Sequence, residues 1–130
     1  MTSTISDIKK TLDIFYRNTS PEVKKLEVGD TVAITSYIEL PDETVADKKG
    51  KGRIQKYSGV IISKHNQSSD SDATITVRKT FQGLGIEKVF VVNSPWVKEI
   101  EIISKAIVRR SKLYYLRERT GKATRLKRRI

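Results

Sequence analysis

Cysteine is absent from the 130-residue sequence, and histidine occurs once. Without cysteine the chain has no disulfide scaffold and no thiol chemistry, and a zinc site would need ligands other than sulfur. The sequence also has no apolar run of the roughly 18 residues that a bilayer-spanning helix requires. Residues 1–18 have no apolar signal-peptide core, and Asp7 and Asp13 are atypical of a transit peptide. We therefore expect neither a membrane protein nor a disulfide-stabilised secreted protein.

Few residues are available for catalysis or metal binding. His65 ends a predicted strand beside a polar loop, where a surface histidine is far more common than a catalytic base. Asp70 and Asp72 lack the flanking helices and the final glutamate of an EF-hand calcium loop. Gly121-Lys122 lacks the upstream glycine and the following Ser or Thr of a phosphate-binding P-loop. The sequence leaves a Ser/Lys pair open, but it predicts a non-enzymatic protein with no metal site, cofactor or small-molecule substrate.

Positive charge is abundant and unevenly distributed. The formal net charge is +11, from 26 basic and 15 acidic residues. The last 22 residues contain ten of the basic side chains and one acid, Glu118, whereas the preceding 108 residues have 16 basic and 14 acidic side chains. Because concentrated charge of one sign repels itself, such a segment usually binds a polyanion. We therefore predict that residues 109–130, the basic tail, form an extension that binds nucleic acid.

The N-terminal region has the apolar pattern of a helix. Between residues 3 and 17 an apolar residue recurs every three or four positions, at Ile5, Ile8, Leu12 and Phe15. This spacing places them on one helical face. Pro21 disfavours helix at Ser20 and so marks its end. Residues 1–20 are therefore predicted to form an amphipathic helix that packs on the core or on a partner.

Residues 21–108 change to the two-residue period of β-strands. One strand is predicted to begin at Thr31, and others to span residues 54–63, 73–80, 88–92 and 97–103. Turn-forming residues separate them, among them Gly83-Leu84-Gly85. Five short strands with turns every 8–12 residues, roughly, are typical of a small antiparallel barrel. The predicted fold class is mostly β.

Beyond Val108 the strand pattern ends. Leu113-Tyr114-Tyr115-Leu116 is predicted to form one apolar helical turn that fixes the tail to the barrel. Residues 121–130 contain only three apolar side chains, which are too few for a core. We therefore predict that this last segment becomes ordered on its ligand.

The basic tail is expected to bind RNA through its phosphates, since each neutralised phosphate releases condensed counterions. Arginine outnumbers lysine seven to three in the tail, and arginine binds phosphate bidentately or stacks on a base. The two tyrosines are expected to stack on an unpaired nucleotide, with packing in the barrel as the alternative for one of them. The predicted tail contacts are Arg109, Arg110, Lys112, Tyr114, Tyr115, Arg117, Arg119, Lys122, Arg125, Lys127, Arg128 and Arg129.

A second basic group lies in a predicted hairpin loop between strands, with Gly50 and Gly52 among its cations. RNA contact is the preferred interpretation of this loop, and a solvated loop tip is the alternative. A smaller patch ends the third predicted strand. The candidates in the two groups are Lys48, Lys49, Lys51, Arg53 and Lys56, followed by Arg78 and Lys79.

Several blocks of the sequence, in one collinear order from Pro21 to the C terminus, resemble the bacterial-type family of large-subunit ribosomal protein nineteen. The blocks are Val-Gly-Asp-Thr-Val at 28–32, Tyr-Ser-Gly-Val-Ile-Ile at 57–62, residues 76–90, Asn-Ser-Pro at 93–95 and residues 108–117. Residues 81–83 and 121–125 are most similar to the cyanobacterial and plastid branch. The chain departs from the family at Asn93 and Trp96, where histidine and arginine are common, and at Ser104-Lys105-Ala106, where the family often has a basic pair and glycine.

The resemblance implies an SH3-like barrel of residues 21–108 between an N-terminal helix, residues 1–20, and the basic C-terminal extension, residues 109–130. It further implies a structural protein that binds large-subunit ribosomal RNA near the subunit interface and supports the aminoacyl-tRNA region. Its partners would include small-subunit ribosomal RNA and neighbouring ribosomal proteins, in a plastid stroma or a bacterial cytoplasm. A free RNA-binding regulatory module is the alternative function.

Overall fold

The fold, seen in a computed structural model that describes residues 26–39, 53–65 and 73–130, is mostly β. The predicted N-terminal helix and residues 40–52 and 66–72 lie outside the described residues. The elements are the strands β1 (Thr31–Tyr37), β2 (Ile54–His65), β3 (Thr74–Phe81), β4 (Leu84–Val91) and β5 (Val97–Ser104), then the 3₁₀ helices Tyr114–Arg117 and Gly121–Thr124.

The strands form one antiparallel sheet in the order β4-β3-β2-β1-β5. The prediction of a mostly β fold with five antiparallel strands is therefore confirmed. Within the described ranges β4 and β5 each pair along one edge only, with β3 and β1 respectively, so strand pairing does not close the sheet into the expected barrel.

The β3–β4 hairpin is longer than its apolar pattern indicated. We expected the fourth strand to begin near Lys88, but β4 begins at Leu84, which pairs directly with Phe81. Gln82 and Gly83 form the turn with φ values of 50° and 78°. Positive φ at both central residues is the pattern of a type I′ turn, whose twist matches the paired strands and allows pairing up to the turn.

One apolar core covers the inner face of the sheet. Alternate residues of β1 to β4 supply most of its buried members, including Val32, Ile61, Val77 and Phe90. β5 adds partly buried residues such as Ile100. Every strand thus contributes to a single core, which we call the inner core, and this burial is the main favourable term in the stability of the sheet.

Candidate nucleic-acid interface

A β-bulge in β2 creates the attachment point of the basic tail. The β2–β3 pairing shifts between Ile61 and Ser63, which leaves Ile62 as an extra residue without a partner in β3. Ile61 and Ile62 are both fully buried, but Ile61 belongs to the inner core and Ile62 to a separate apolar cluster. The bulge leaves the Ile62 carbonyl free of the ladder, and it accepts a 2.8 Å hydrogen bond from the Leu113 N–H.

The separate cluster, which we call the outer cluster, is built mainly by the tail. Leu113 and Leu116 are 1% and 5% exposed and pack around Ile62. Partly buried side chains complete the cluster, namely Val28, Val108, Tyr115 and Leu126. The prediction that an apolar turn fixes the tail to the sheet is confirmed, since the 3₁₀ helix Tyr114–Arg117 carries Leu116 into this cluster.

Glu87 on β4 joins the sheet to the tail through two arginines. The Arg78 Nη1 atom donates to Glu87 Oε1 at 2.9 Å. Arg117 binds the same carboxylate bidentately, with Nε 2.8 Å from Oε1 and Nη2 2.8 Å from Oε2. A side chain at Gly85 would overlap the Arg78 guanidinium, so this glycine makes room for the contact. The tail helix is thereby oriented over the β3–β4 hairpin.

These contacts shift the protonation of Glu87. The hydrogen bond from Arg117 is the main cause that lowers the pKa of Glu87, with a further contribution from Arg78, while partial burial opposes the shift. The same contact raises the pKa of Arg117. A carboxyl whose pKa is lower in the folded than in the unfolded chain stabilises the fold above its unfolded pKa. That contribution is lost as the pH falls through the folded pKa.

Replacing Glu87 by glutamine should therefore destabilise the protein at neutral pH, by about 1–3 kcal/mol, because Arg78 would remain largely buried beside a neutral group. The difference in unfolding free energy between wild type and E87Q should be constant above the ordinary glutamate pKa of 4.5 and shrink at lower pH. Urea unfolding at several pH values measures it. The control is E101Q, because Glu101 and its partner Lys56 are more than half exposed and such pairs contribute little. Equal losses in both variants would contradict the assigned role.

Guanidinium groups cover the tail tyrosines to different extents. Arg110 and Arg119 both lie over the Tyr115 ring, with their Cζ atoms 5.1 and 4.6 Å from its centroid. Tyr115 is also partly buried in the outer cluster. Tyr114 has one such neighbour, Arg117 at 4.6 Å, and remains 46% exposed. Cation–π contact at these distances holds the arginines in defined positions on the surface.

The end of the tail returns to the protein instead of extending away from it. Arg128 forms an isolated β-bridge with Ala106. The Ile107 N–H donates to the Lys127 carbonyl and the Arg129 N–H to the Lys105 carbonyl, each at 2.8 Å. Apolar side chains are as few here as the sequence indicated, but backbone hydrogen bonds and the packing of Leu126 position the segment. We expected residues 121–130 to become ordered on a ligand, whereas the structure places them against the protein itself.

Some predicted RNA-contact residues already have partners in the protein. Arg78 and Arg117 bind Glu87, and Lys112 donates a 2.8 Å hydrogen bond from Nζ to the Lys64 carbonyl. Arg129 lies 3.3 Å from Glu27, with both side chains 57% exposed. The other tail cations are exposed and form no ion pair within the described part of the chain: Arg109, Arg110, Arg119, Lys122, Arg125, Lys127 and Arg128.

The second predicted basic group is described only in part. Arg53 is exposed, and its carbonyl accepts the Ile38 N–H at 2.7 Å. Lys56 forms a 3.0 Å ion pair with Glu101 that crosses β1. Lys79 lies 5.0 Å from the Tyr57 ring centroid. The remaining candidates lie outside the described residues: Lys48, Lys49 and Lys51.

The described ranges bring together no group of histidine, cysteine or acidic residues that could hold a metal ion. Among the described residues, none of the helices could span a lipid bilayer. Tyr57 is the buried ionisable residue of the inner core, where burial raises its pKa and its hydroxyl lies 3.0 Å from the Ile86 carbonyl. This hydrogen bond links β2 to β4.

Sequence reasoning missed the residues that position the interface. Glu87 is one acid among alternating strand residues, and nothing in its local pattern distinguishes it from a solvated side chain. Ile62 reads as the third member of the apolar run Val60-Ile61-Ile62, which breaks strict alternation. That break was the one available signal of a bulge or a strand buried on both faces.

Known proteins are similar to this chain over the residues that build the sheet and the tail. The family model described as Ribosomal protein L19 matches residues 8–129. Large ribosomal subunit protein bL19c of Mesostigma viride is 53% identical over 100 residues, 77% of this chain and 76% of the relative. The bL19 protein of a Cyanothece species is 49% identical over 106 residues, 82% of this chain and 80% of the relative. The bL19c protein of Thalassiosira weissflogii is 43% identical over 125 residues, 95% and 96% of the two chains.

These matches cover nearly the whole chain, including the sheet, the outer cluster and the basic tail. The matched proteins belong to the family that the sequence blocks resemble, and they are mostly cyanobacterial and plastid proteins, as those blocks indicated. The chain therefore belongs to the ribosomal protein L19 family.

Proposed function

We propose that this chain is a non-catalytic structural constituent of the large ribosomal subunit and binds ribosomal RNA through its basic tail. The observation that carries the proposal is the fixed position of the tail: it is anchored at Ile62, bound by Glu87 and returned to the protein at Ala106. Exposed cations on a rigid support match closely spaced phosphates without a large loss of conformational entropy.

Phosphate neutralisation is the proposed source of affinity. If about six tail cations contact phosphates of duplex RNA, the logarithm of the affinity falls with the logarithm of salt concentration at a slope near −5, taking roughly 0.9 per contact. Such contacts position the protein without reading sequence. The role is therefore to stabilise folded RNA.

The structure supports a division of the predicted contacts into two roles. The exposed tail cations are proposed to bind phosphates, as are Arg53 and Lys79 and the loop residues Lys48, Lys49 and Lys51. Arg78, Lys112 and Arg117 are proposed to act as positioning residues, because each already holds a partner in the protein. Lys56 and Arg129 form only exposed ion pairs, so they are proposed to bind phosphates as well.

The tyrosines divide in the same way. Tyr115 is proposed to pack within the protein, since its ring lies beneath Arg110 and Arg119 and contributes to the outer cluster. Tyr114 is nearly half exposed and has a single guanidinium neighbour. It is therefore the proposed platform for stacking on an unpaired base.

The finer fold assignment is also a proposal. An SH3-like curvature of residues 21–108 is supported by the inner core, in which residues of both edge strands, such as Phe90 and Ile100, share one cluster. A flat sheet would keep its two edges apart. The helix of residues 1–20 and the division of the chain at residue 109 complete this assignment.

The proposed partners extend beyond large-subunit RNA. Neighbouring ribosomal proteins, small-subunit RNA at the interface and the aminoacyl-tRNA region are proposed from family membership. Relatives of the bL19 and bL19c types place the proposed location in the ribosome of a bacterium or a plastid.

The proposal is tested by sedimenting cell extract through a high-salt sucrose cushion. A constituent of the subunit should remain in the large-subunit pellet, because many phosphate contacts and the surrounding RNA retain it. A free RNA-binding module, the alternative function, should appear in the supernatant when salt screens its contacts. Loss of the protein from washed subunits, while other large-subunit proteins remain, would overturn the proposal.

A further inference from the structure

A groove separates the sheet from the returning end of the tail. Its volume is about 590 Å³. We call it the tail groove. The sheet side is lined by Thr31, Val60 and Ser104, and the tail side by Leu126 and Arg128, with Ala106 where the two sides meet.

A second cavity of about 560 Å³ lies next to the tail groove and shares Ser104 and Arg128 with it. It continues along Lys105 and Arg129 to the C terminus. Arg128 therefore stands at the boundary of two adjoining spaces. Both spaces are open to solvent, so an extended strand can lie across them.

The strand pairing of β5 shows which backbone features border the tail groove. Thr31 pairs with Ser104 but Val32 pairs with Ile102, so Ile103 is an extra residue in β5. A bulge bends its strand locally. Immediately beyond it, Ala106 bridges to Arg128 and brings the tail alongside the strand end. The bulge and the bridge both lie beside the tail groove, since Ser104, Ala106 and Arg128 line it.

The lining combines groups suited to one class of ligand. Val60 and Leu126 supply an apolar floor, and the hydroxyls of Thr31 and Ser104 can hydrogen-bond to a sugar. Arg128 is exposed and forms no ion pair within the described residues. Glu27 forms an exposed ion pair with the neighbouring Arg129, and such a pair competes weakly with a phosphate.

We propose that the tail groove and its neighbour bind unpaired RNA, with one nucleotide in each cavity and the phosphate between them on Arg128. The inference rests on the proposed RNA-binding function and assigns a site within it. Duplex RNA keeps its bases stacked inside the helix, whereas an unpaired strand can place a base on an apolar floor.

The test compares R128Q with K122Q in the full-length protein. Both variants lose one exposed positive charge from the tail, but Lys122 does not line either cavity. Fluorescence anisotropy measures binding of a short oligouridylate and of a short RNA duplex. R128Q should weaken oligouridylate binding about tenfold more than K122Q, the effect of one charge-assisted hydrogen bond. Duplex binding should weaken equally in both.

Equal effects of the two variants on oligouridylate binding would overturn the groove assignment. A second measurement uses the unmodified protein: addition of oligouridylate should shift the backbone amide NMR signals of Thr31, Ser104 and Ala106. Shifts confined to residues away from both cavities would also overturn it. Retention in washed large subunits is measured separately, so failure of the groove assignment is distinguishable from failure of the proposed ribosomal function.

Discussion

Ending the chain after Leu116 should leave a folded sheet that no longer enters large ribosomal subunits. The deletion removes seven basic residues and one acid, and with them most of the proposed phosphate contacts. It leaves the inner core complete, because every member of that core precedes residue 103. Quantifying the variant in purified subunits, beside its circular dichroism spectrum, measures incorporation and folding independently.

The matched control keeps the chain length and removes charge elsewhere. Lys88 and Lys98 are exposed on β4 and β5, outside the tail. Their double replacement by glutamine should reduce incorporation far less than the truncation does. Unchanged occupancy of the truncated chain, with the sheet intact, would mean that the tail is dispensable and that the charge argument is wrong.

Replacing Leu113 by alanine should have the largest effect on stability among single side chains of the tail. Leu113 is 1% exposed and packs on Ile62 and Leu116 at the bulge. Burial of this kind predicts a loss of about 2–5 kcal/mol, a large fraction of the total for a small domain. The shift in the urea midpoint measures it. Faster hydrogen exchange at the Leu113 amide would report that the tail has loosened from the Ile62 carbonyl.

Leu84→Ala is the matched control, because Leu84 lies at the start of β4 with 70% of its surface exposed. Its loss should change the unfolding free energy by no more than about 0.5 kcal/mol. Similar midpoints for the Leu113 and Leu84 variants would show that the outer cluster does not hold the tail, and the positioning argument would fail with it.

The strands and the helical turn of the tail could be predicted because their signals are local. Alternation and β-branched residues define β2 and β3 with boundaries within two residues of those observed. The start of β4 was predicted too late because Leu84, Gly85 and Ile86 resemble a loop until the tight turn at Gly83 pairs them. The turn geometry depends on Gln82 and Gly83 alone, whereas an alternating strand pattern is recognised only over several residues.

The composition of the tail predicted that it forms the candidate interface, but it did not predict how the charged side chains are arranged there. The cluster of charge beyond Val108 identifies the tail in any conformation, because charge density along a chain does not depend on its fold. Which of these cations form ion pairs within the protein does depend on the fold. Arg78 and Glu87 are nine residues apart and Arg117 is 30 residues beyond Glu87, and only strand pairing together with the return of the tail brings their charges into contact.

Periodicity, net charge and collinear motifs were sufficient to predict the mostly β class, the basic tail and the family. The folded chain was needed to show that a bulge at Ile62 anchors the tail, that Glu87 binds two arginines, and that a groove lies between the tail and β5. Burial, ion pairing and backbone hydrogen bonding here join residues that are distant in the chain. A local sequence pattern contains no information about which distant residues meet.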